Sequence, residues 1–108
     1  MKAPTSFAQK VYNQLRKVPA GRVTTYKELA LSLGTKSYQA VGTAMKNNPF
    51  APEVPCHRVV KTDGRIGGFM GYVTGETIEK KKQMLQQEGI EFEGEKIKDF
   101  EKKLFRFQ

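Results

Sequence analysis

The chain has 108 residues and a formal net charge of +8, from 19 lysines and arginines against 11 acidic residues. Its length suits one domain, its single cysteine excludes an intramolecular disulfide, and it has no apolar run long enough for a membrane span or a signal peptide. We therefore expect a protein of a reducing compartment, which is the cytoplasm, or the nucleus if the source is eukaryotic. The positive charge favours nucleic acid over an anionic membrane as the partner. The alternative is that the surplus lysine serves only solubility.

The first predicted helix covers residues 6–18. Ser6 is a suitable N-cap, Pro19 stops the helix, and the apolar positions recur at helical spacing: Phe7, Val11, Leu15 and Val18. We interpret this helix as a packing element. A turn at residues 19–21 and a short strand at residues 22–24 follow it.

The next two predicted helices form a helix-turn-helix. Thr25 and Glu28 have the spacing of a capping box at the start of the second helix, and Gly34 suits its left-handed end. After a tight turn, residues 38–47 are predicted to form the third helix. A helix, a short turn and a helix are the layout of many DNA-binding domains.

The third helix carries small residues, among them Ala40, Gly42 and Ala44. Glycine inside a helix costs about 0.5–1 kcal/mol relative to alanine, so Gly42 indicates that something approaches closely. That neighbour is either the wall of a nucleic-acid groove, with Lys36 and Lys46 binding phosphates, or another helix of the same domain. The pattern alone leaves both interpretations open.

Residues 54–60 read Val-Pro-Cys-His-Arg-Val-Val and contain the only cysteine and the only histidine of the chain. Pro55 restricts the backbone, and the valine pair predicts a buried strand after Cys56 and His57. The dipeptide places a possible nucleophile beside a possible base. The alternative is that Cys56 is only a small buried apolar residue, since a reactive thiol needs an electropositive setting.

The remaining segments predict a hairpin turn at residues 61–64 and a glycine-rich loop at residues 67–71. That loop has neither the P-loop nor the dinucleotide-binding spacing, which excludes a phosphate cradle. Thr74 is expected to cap a helix that ends at Glu88 and Gly89, before a small hairpin of residues 90–92 and 95–97. Three aromatic residues near the end predict packing: Phe100, Phe105 and Phe107. The predicted fold class is α+β, mostly helical with short strands.

Three motifs together resemble the signature of O6-alkylguanine-DNA alkyltransferases, also called methylated-DNA-protein-cysteine methyltransferases. They are Ala-Val-Gly-Thr-Ala-Met at residues 40–45, Asn-Pro at 48–49 and Pro-Cys-His-Arg-Val-Val at 55–60. The similarity runs from about residue 7 to residue 92 and covers the family's C-terminal, DNA-binding domain. It implies a winged helix-turn-helix in which residues 1–108 form one domain for DNA binding and alkyl transfer, without the N-terminal accessory domain of many members.

The resemblance also implies a function, which is DNA repair by direct damage reversal. An alkyl group such as methyl would pass irreversibly from the O6 atom of guanine to Cys56, in a single turnover. The implied partner is double-stranded DNA containing alkylated guanine, with the target base flipped out of the stack. We expect a monomer without a cofactor, and with one cysteine and one histidine no zinc site is visible in the sequence.

Five residues match catalytic positions of that family. Cys56 would be the nucleophile, His57 would remove the thiol proton through a water, and Glu88 would orient the histidine. Asn48 would brace the turn that carries the cysteine. Tyr26 would help to rotate the nucleotide and donate a proton to the leaving guanine.

Further positions match the family's substrate and DNA contacts. Met70 would place its amide near the guanine oxygen, Phe69 would form an aromatic wall, and Arg58 would be chiefly structural. The implied substrate pocket comprises Val54, Pro55, Arg58, Gly68, Phe69, Met70 and Gly71. The recognition helix would lie in the minor groove, and the implied DNA-binding residues are Thr25, Lys36, Tyr38, Gln39, Ala40, Gly42 and Lys46.

One position departs from the family pattern, because Gln39 stands where an intercalating arginine is usual. If the alignment slips by one residue, Tyr38 would be the wedge instead. The main alternative function is that of alkyltransferase-like proteins, which bind alkylated DNA and recruit other repair factors but lack the cysteine. Cys56 argues against it. A winged-helix transcriptional regulator would explain the charge but not the Cys-His pair or the glycine-rich loop.

Overall fold

The computed structural model of the chain describes residues 5–51, 53–67 and 76–107. The predicted glycine-rich loop from Gly68 to Gly71 and the predicted cap at Thr74 lie outside these residues. The described elements, in chain order, are α1 (Ser6–Leu15), β1 (Thr24–Thr25), α2 (Tyr26–Ser32), α3 (Tyr38–Lys46), a 3-10 turn (Cys56–Arg58), β2 (Val59–Val60), α4 (Glu76–Gln87), β3 (Phe92–Glu93), β4 (Lys96–Ile97) and α5 (Phe100–Lys103). The mixed, mostly helical α+β class is thus confirmed. None of the described helices is long and apolar enough to cross a membrane.

Helix α1 is shorter than predicted at its C-terminal end, where it stops at Leu15. The amides of Lys17 and Val18 bond to carbonyls three residues back, at 3.0 Å each, which tightens the chain ahead of Pro19. The predicted N-cap was wrong by one residue, because the hydroxyl of Thr5 accepts the bond from the Ala8 amide at 3.1 Å.

The helix-turn-helix forms as the turn chemistry predicts. The Thr25 hydroxyl accepts from the Glu28 amide at 3.1 Å and starts α2, and Gly34 adopts φ of +69° after its end. The Ser37 hydroxyl accepts from the Ala40 amide at 3.2 Å and starts α3. Helix α3 ends at Lys46, one residue earlier than predicted, with Asn47 as its C-cap.

Strands β1 and β2 pair in parallel, with Thr24 opposite Val59 and Thr25 opposite Val60. This pairing places the start of α2 next to the strand that follows the Cys-His turn. The start of β1 was predicted two residues too early and its end one residue too early. The main apolar core lies between α1, α2, α3 and this turn, and its fully buried members are Val11, Leu15, Leu29, Ala30, Val41, Val54 and Val59.

The C-terminal hairpin was predicted at residues 90–92 and 95–97, and it forms with the antiparallel strands β3 and β4 at Phe92–Glu93 and Lys96–Ile97. It joins residues 64–66 through two backbone bonds, from the Ile66 amide to the Glu95 carbonyl (3.0 Å) and from the Ile97 amide to the Gly64 carbonyl (2.9 Å). The short helix α5 was not predicted. After it the chain bridges to Val23 at Leu104, beside β1. Phe100 packs, as expected, against a second apolar cluster of buried residues, which comprises Val23, Val60, Leu85, Ile90 and Ile97.

Candidate active site and DNA-binding face

Cys56 opens the 3-10 turn that leads into β2, and it is only 6% exposed. Val54 and Pro55 are buried immediately before it, and both residues of β2 are buried after it. The cysteine therefore lies on a rigid support at the edge of the core.

Asn48 braces the loop that leads to this turn. Its Nδ2 donates to the Val54 carbonyl at 2.9 Å, and its Oδ1 accepts from the Phe50 amide at 2.9 Å. Its side chain also hydrogen-bonds the thiol of Cys56. These contacts tie Asn48 to the loop on both sides of residues 51–53.

His57, Arg58 and Glu88 form one compact ionic cluster. The Nε2 atom of His57 lies 3.0 Å from Oε2 of Glu88. Arg58 binds the same carboxylate with both arms of its guanidinium, Nε to Oε1 at 2.9 Å and Nη2 to Oε2 at 2.6 Å. Its Nη1 donates to the Val18 carbonyl at 2.8 Å. Glu88 is thus held firmly, and it fixes the orientation of the imidazole.

The protonation states in this cluster follow from burial and from these bonds. Burial lowers the pKa of His57, and the hydrogen bond and charge of Glu88 only partly oppose this effect. Burial raises the pKa of Glu88, but the bonds from Arg58 and His57 outweigh it and leave that pKa below its usual value. A neutral His57 donates from Nε2 to an ionised Glu88, which leaves Nδ1 as the proton acceptor.

The thiol of Cys56 is protonated at rest. Burial raises its pKa, and the hydrogen bond from Asn48 and the charge of Lys81 offset only part of this effect. Burial and the charge of Cys56 also raise the pKa values of Tyr12 and Tyr26. Because the thiolate is the nucleophilic form, this cysteine needs a base to become reactive.

A cavity of about 570 Å³ lies between the start of the helix-turn-helix and the turn at residues 61–65, and we call it the base cavity. Its volume is within the range of small-molecule sites, about 300–1,000 Å³. Tyr26 and Tyr38 line one side of it. The rest of its lining comprises Lys61, Thr62, Arg65, Ile66, Gly67, Ile78 and Glu95. The predicted pocket residues Gly68, Phe69, Met70 and Gly71 follow directly in sequence but lie outside the described residues.

Helix α3 presents an open outer face. Tyr38 is 51% exposed, and Gln39 and Lys46 are exposed with it, as is Lys36 just before the helix. Ala40 and Gly42 are partly exposed. A Cβ added to Gly42 would meet no described atom within 4 Å outside its own helix, so helix packing among the described residues does not explain this glycine. Ala44, in contrast, is buried and belongs to the core.

Two expected contacts are corrected by the structure. Thr25 was expected on the DNA-binding face, but it is 2% exposed and its hydroxyl caps α2. Arg58 was placed in the substrate pocket, but its guanidinium binds Glu88 and the Val18 carbonyl and does not line the base cavity. Capping and ion pairing occupy the polar atoms of Thr25 and Arg58. Val54, Pro55 and Cys56 are buried and are not among the described residues that line the base cavity either.

Three residues of structural importance were missed by the sequence analysis. Tyr12 donates to the Ala44 carbonyl at 2.7 Å and ties α1 to α3; its spacing of four from Ala8 would have placed it on the buried face. Arg22 donates to the Lys103 and Leu104 carbonyls and holds the C-terminal segment, for which no sequence signal exists. Lys81 is fully buried.

The family model for the DNA-binding domain of 6-O-methylguanine DNA methyltransferase matches residues 6–90. The chain belongs to this family. Among curated members, the methylated-DNA–protein-cysteine methyltransferase of Thermococcus kodakarensis is 49% identical over 87 residues, which are 80% of this chain and 46% of the relative. The corresponding protein of Methanothermobacter thermautotrophicus is 36% identical over 91 residues, 84% of this chain and 48% of the relative. The chain spans about half the length of these methyltransferases.

Solved structures of family members show the same fold. Mycobacterium tuberculosis OGT in complex with DNA superposes with a TM-score of 0.70 at 36% identity, over 80% of this chain and 51% of that chain. S. pombe Atl1 in complex with damaged DNA containing O6-carboxymethylguanine gives a TM-score of 0.78 at 29% identity, over 98% of this chain and 99% of that one. The likeness to Atl1 therefore extends through most of the segment that follows residue 90.

Proposed function

We propose that this protein repairs alkylated guanine in double-stranded DNA by transferring the alkyl group from O6 to Sγ of Cys56. The observation that carries the proposal is the His57–Glu88 contact at 3.0 Å beside a buried cysteine. His57, acting through a water, takes the thiol proton, and the thiolate attacks the alkyl carbon. A carbon–sulfur bond forms as the carbon–oxygen bond breaks, and Tyr26 donates a proton to the leaving guanine.

The electrostatics support this order of events. The thiol does not ionise readily by itself, because burial raises its pKa, whereas His57 is neutral and able to accept a proton. The ionised Glu88 stabilises the imidazolium that results. Asn48 holds the loop before Cys56 in place through its bond to the Val54 carbonyl. The product is a thioether, which water does not cleave, so one monomer repairs one lesion and needs no cofactor.

DNA binding is assigned to the outer face of α3. The target base must leave the stack to reach the buried thiol, at a cost of a few kcal/mol. Tyr38 and Gln39 lie at the start of the helix, and Tyr38 lines the base cavity. A side chain at this position could fill the gap that the base leaves in the stack. The open face at Gly42 suits the wall of a groove, and Lys36 and Lys46 are placed for phosphates.

We assign both activities to residues 1–108 as one unit. The core beneath α3 also supports the Cys-His turn, so the DNA-binding helix and the nucleophile are parts of the same packed cluster. The proposed substrate is DNA, which places the activity where the cell keeps its DNA, in the cytoplasm or in the nucleus of a eukaryote.

Recognition without transfer is the second candidate, and the likeness to Atl1 over 98% of this chain favours it. In that role the protein would bind alkylated DNA, flip the base and recruit other repair factors. Cys56 supports transfer instead, because His57 and Glu88 are arranged to take a proton from a thiol.

The test uses a duplex with one O6-methylguanine whose methyl group is radiolabelled, mixed with wild type or with Cys56→Ala. We expect wild type to bind the duplex and acquire the label, and the variant to bind without acquiring it. Binding by wild type with the label left on DNA would favour the second candidate. Failure of folded wild type to bind the duplex would overturn the DNA assignment.

A further inference from the structure

Lys81 lies in the middle of α4 and is 0% exposed. Lysine is almost never fully buried unless its charge is compensated. The residue lies on the same face of the helix as Ile78 and Leu85, three residues after one and four before the other. An apolar residue is expected at this position of an amphipathic helix, so the lysine calls for an explanation beyond packing.

The ammonium group of Lys81 joins two other segments to α4. Its Nζ donates to the Val59 carbonyl at 2.8 Å and to the Ile66 carbonyl at 2.6 Å. Val59 is the third residue after Cys56, and Ile66 lines the base cavity. Charge-assisted bonds are roughly twice as strong as neutral ones. One side chain therefore fixes the strand after the nucleophile against a wall of the cavity.

The charge of Lys81 is also coupled to the nucleophile. Burial lowers the pKa of Lys81 to about 7, and the charge of Cys56 raises it. In the opposite direction, the charge of Lys81 lowers the pKa values of Cys56 and His57. Among the described residues, the charge of Cys56 is also coupled to the tyrosines of α1 and α2, Tyr12 and Tyr26. Thiolate formation and lysine protonation thus favour each other.

We propose that Lys81 is a positioning residue for the transfer reaction: it ties the strand after Cys56 to a wall of the base cavity, and its charge stabilises the Cys56 thiolate. The inference rests on the proposed function only in assigning that thiolate to alkyl transfer. The effect of the charge on the thiolate is a property of the folded protein and exists without DNA.

The experiment follows the reaction of the protein with iodoacetamide across pH, in the absence of DNA. The thiolate forms a carbon–sulfur bond, iodide leaves, and the thiol proton goes to the solvent. Because Cys56 is the only cysteine, the rate reports on this group alone. The proteins compared are wild type, Lys81→Met, which removes the charge and the donors, and Lys81→Gln, which keeps a donor without charge. Lys80→Met, at an exposed neighbouring lysine of α4, is the matched control.

Wild type should react about tenfold faster than both Lys81 variants below pH 7, since a nearby opposite charge shifts a pKa by about one unit or more. The ratio should decline towards one at higher pH, as Lys81 loses its proton near its pKa of about 7. Lys80→Met should match wild type. A ratio that is near one, or that stays constant across pH, would overturn the proposal.

Wild type alone supplies a test that needs no folded variant. Its rate should rise about tenfold per pH unit below 7 and flatten above it; a constant slope up to the titration of the thiol would overturn the proposal. On methylated duplex, Lys81→Met should slow transfer with little change in DNA affinity. If wild type transfers nothing, the proposed function fails, and the iodoacetamide result still decides the role of Lys81.

Discussion

Glu88 is the residue on which the geometry of the candidate site converges. Its two carboxylate oxygens accept from both Arg58 and His57, at 2.6–3.0 Å. Arg58 in turn binds the Val18 carbonyl, so the orientation of the imidazole is connected to the end of the first helical segment. A base held in this way loses little entropy when it accepts a proton, which favours efficient proton transfer.

His57→Ala should slow alkyl transfer by about 10²–10⁴-fold, the usual contribution of a general base. The loss should be similar for methylated duplex and for free O6-methylguanine base, because the histidine acts on the thiol and not on the DNA. Transfer rates on the two substrates provide the measurement. A defect confined to the duplex would show that His57 serves DNA binding instead.

The stability of the protein should depend on pH through Lys81. Its pKa is about 7 in the folded chain, against about 10.4 when unfolded. Between these values the unfolded state binds more protons, so this residue makes the free energy of unfolding rise with pH, by at most about 1.4 kcal/mol per unit. Urea unfolding at pH 7 to 10 should therefore show wild type gaining stability relative to Lys81→Met. If the difference in the free energy of unfolding between wild type and Lys81→Met stays constant or falls with pH, the lowered pKa of Lys81 in the folded protein would be contradicted.

Helix α3 combines a buried face that fixes its position with an outer face that has no described neighbour at Gly42. Tyr12 reaches from α1 to the Ala44 carbonyl and holds the helix from behind. The glycine lowers the stability of the helix, and no described contact inside the protein compensates for it. We propose that close contact with DNA at this face is the reason for the glycine.

Gly42→Ala should therefore have opposite effects on folding and on binding. Alanine should raise the free energy of unfolding by about 0.5–1 kcal/mol, since the site has room for a Cβ. The same methyl group should weaken binding to duplex DNA about tenfold. Asn13→Ala on the exposed face of α1 is the control, and it should leave DNA binding unchanged. Added stability with unaltered binding would remove this face from the DNA interface.

Gln39 tests whether the start of the same helix assists base flipping. Glutamine can fill space, but it lacks the charge and planar fork of the arginine usual at this position in the family. Gln39→Arg should speed transfer from duplex DNA, where extrusion costs a few kcal/mol, and leave the reaction with free O6-methylguanine unchanged. Equal effects on both substrates would favour Tyr38, which is 51% exposed, as the wedge.

At the scale of the whole molecule, local sequence signals predicted where most helices begin and end, but they did not predict how helices and strands pack together. Capping at Thr25 and the left-handed glycines at 34 and 89 are short-range chemistry, and the structure reproduces them. The parallel pairing of β1 with β2 joins residues 35 positions apart through strands of two residues, which are too short to carry a pattern. Its effect is to place the helix-turn-helix next to the Cys-His turn.

In the candidate site, too, local features could be read from the sequence and the spatial arrangement could not. The adjacent cysteine and histidine were visible in the sequence, whereas the role of Glu88 came from the family resemblance, and the distance of 3.0 Å from the structure. Lys81 could not be predicted as buried, because lysine ordinarily marks a solvated face. The proposed pocket residues from Gly68 to Gly71 remain predictions, as they lie outside the described residues.

The C-terminal segment after residue 90 packs against earlier parts of the chain. Its hairpin bonds to residues 64–66, and its last residues are held by Arg22 through the Lys103 and Leu104 carbonyls. The family model ends at residue 90, whereas the likeness to Atl1 covers 98% of the chain. The protein thus combines a fold that matches Atl1 over nearly its whole length with a buried cysteine next to a histidine that contacts Glu88.

The mass of the intact protein after exposure to methylated DNA tests this combination most directly. Wild type incubated with excess duplex containing O6-methylguanine should gain the mass of one methyl group, on the peptide that contains Cys56, and then stop reacting. The same duplex with unmodified guanine should add nothing. Unchanged mass after full exposure of folded, DNA-bound protein, or a methyl group on another peptide, would contradict the transfer to Cys56.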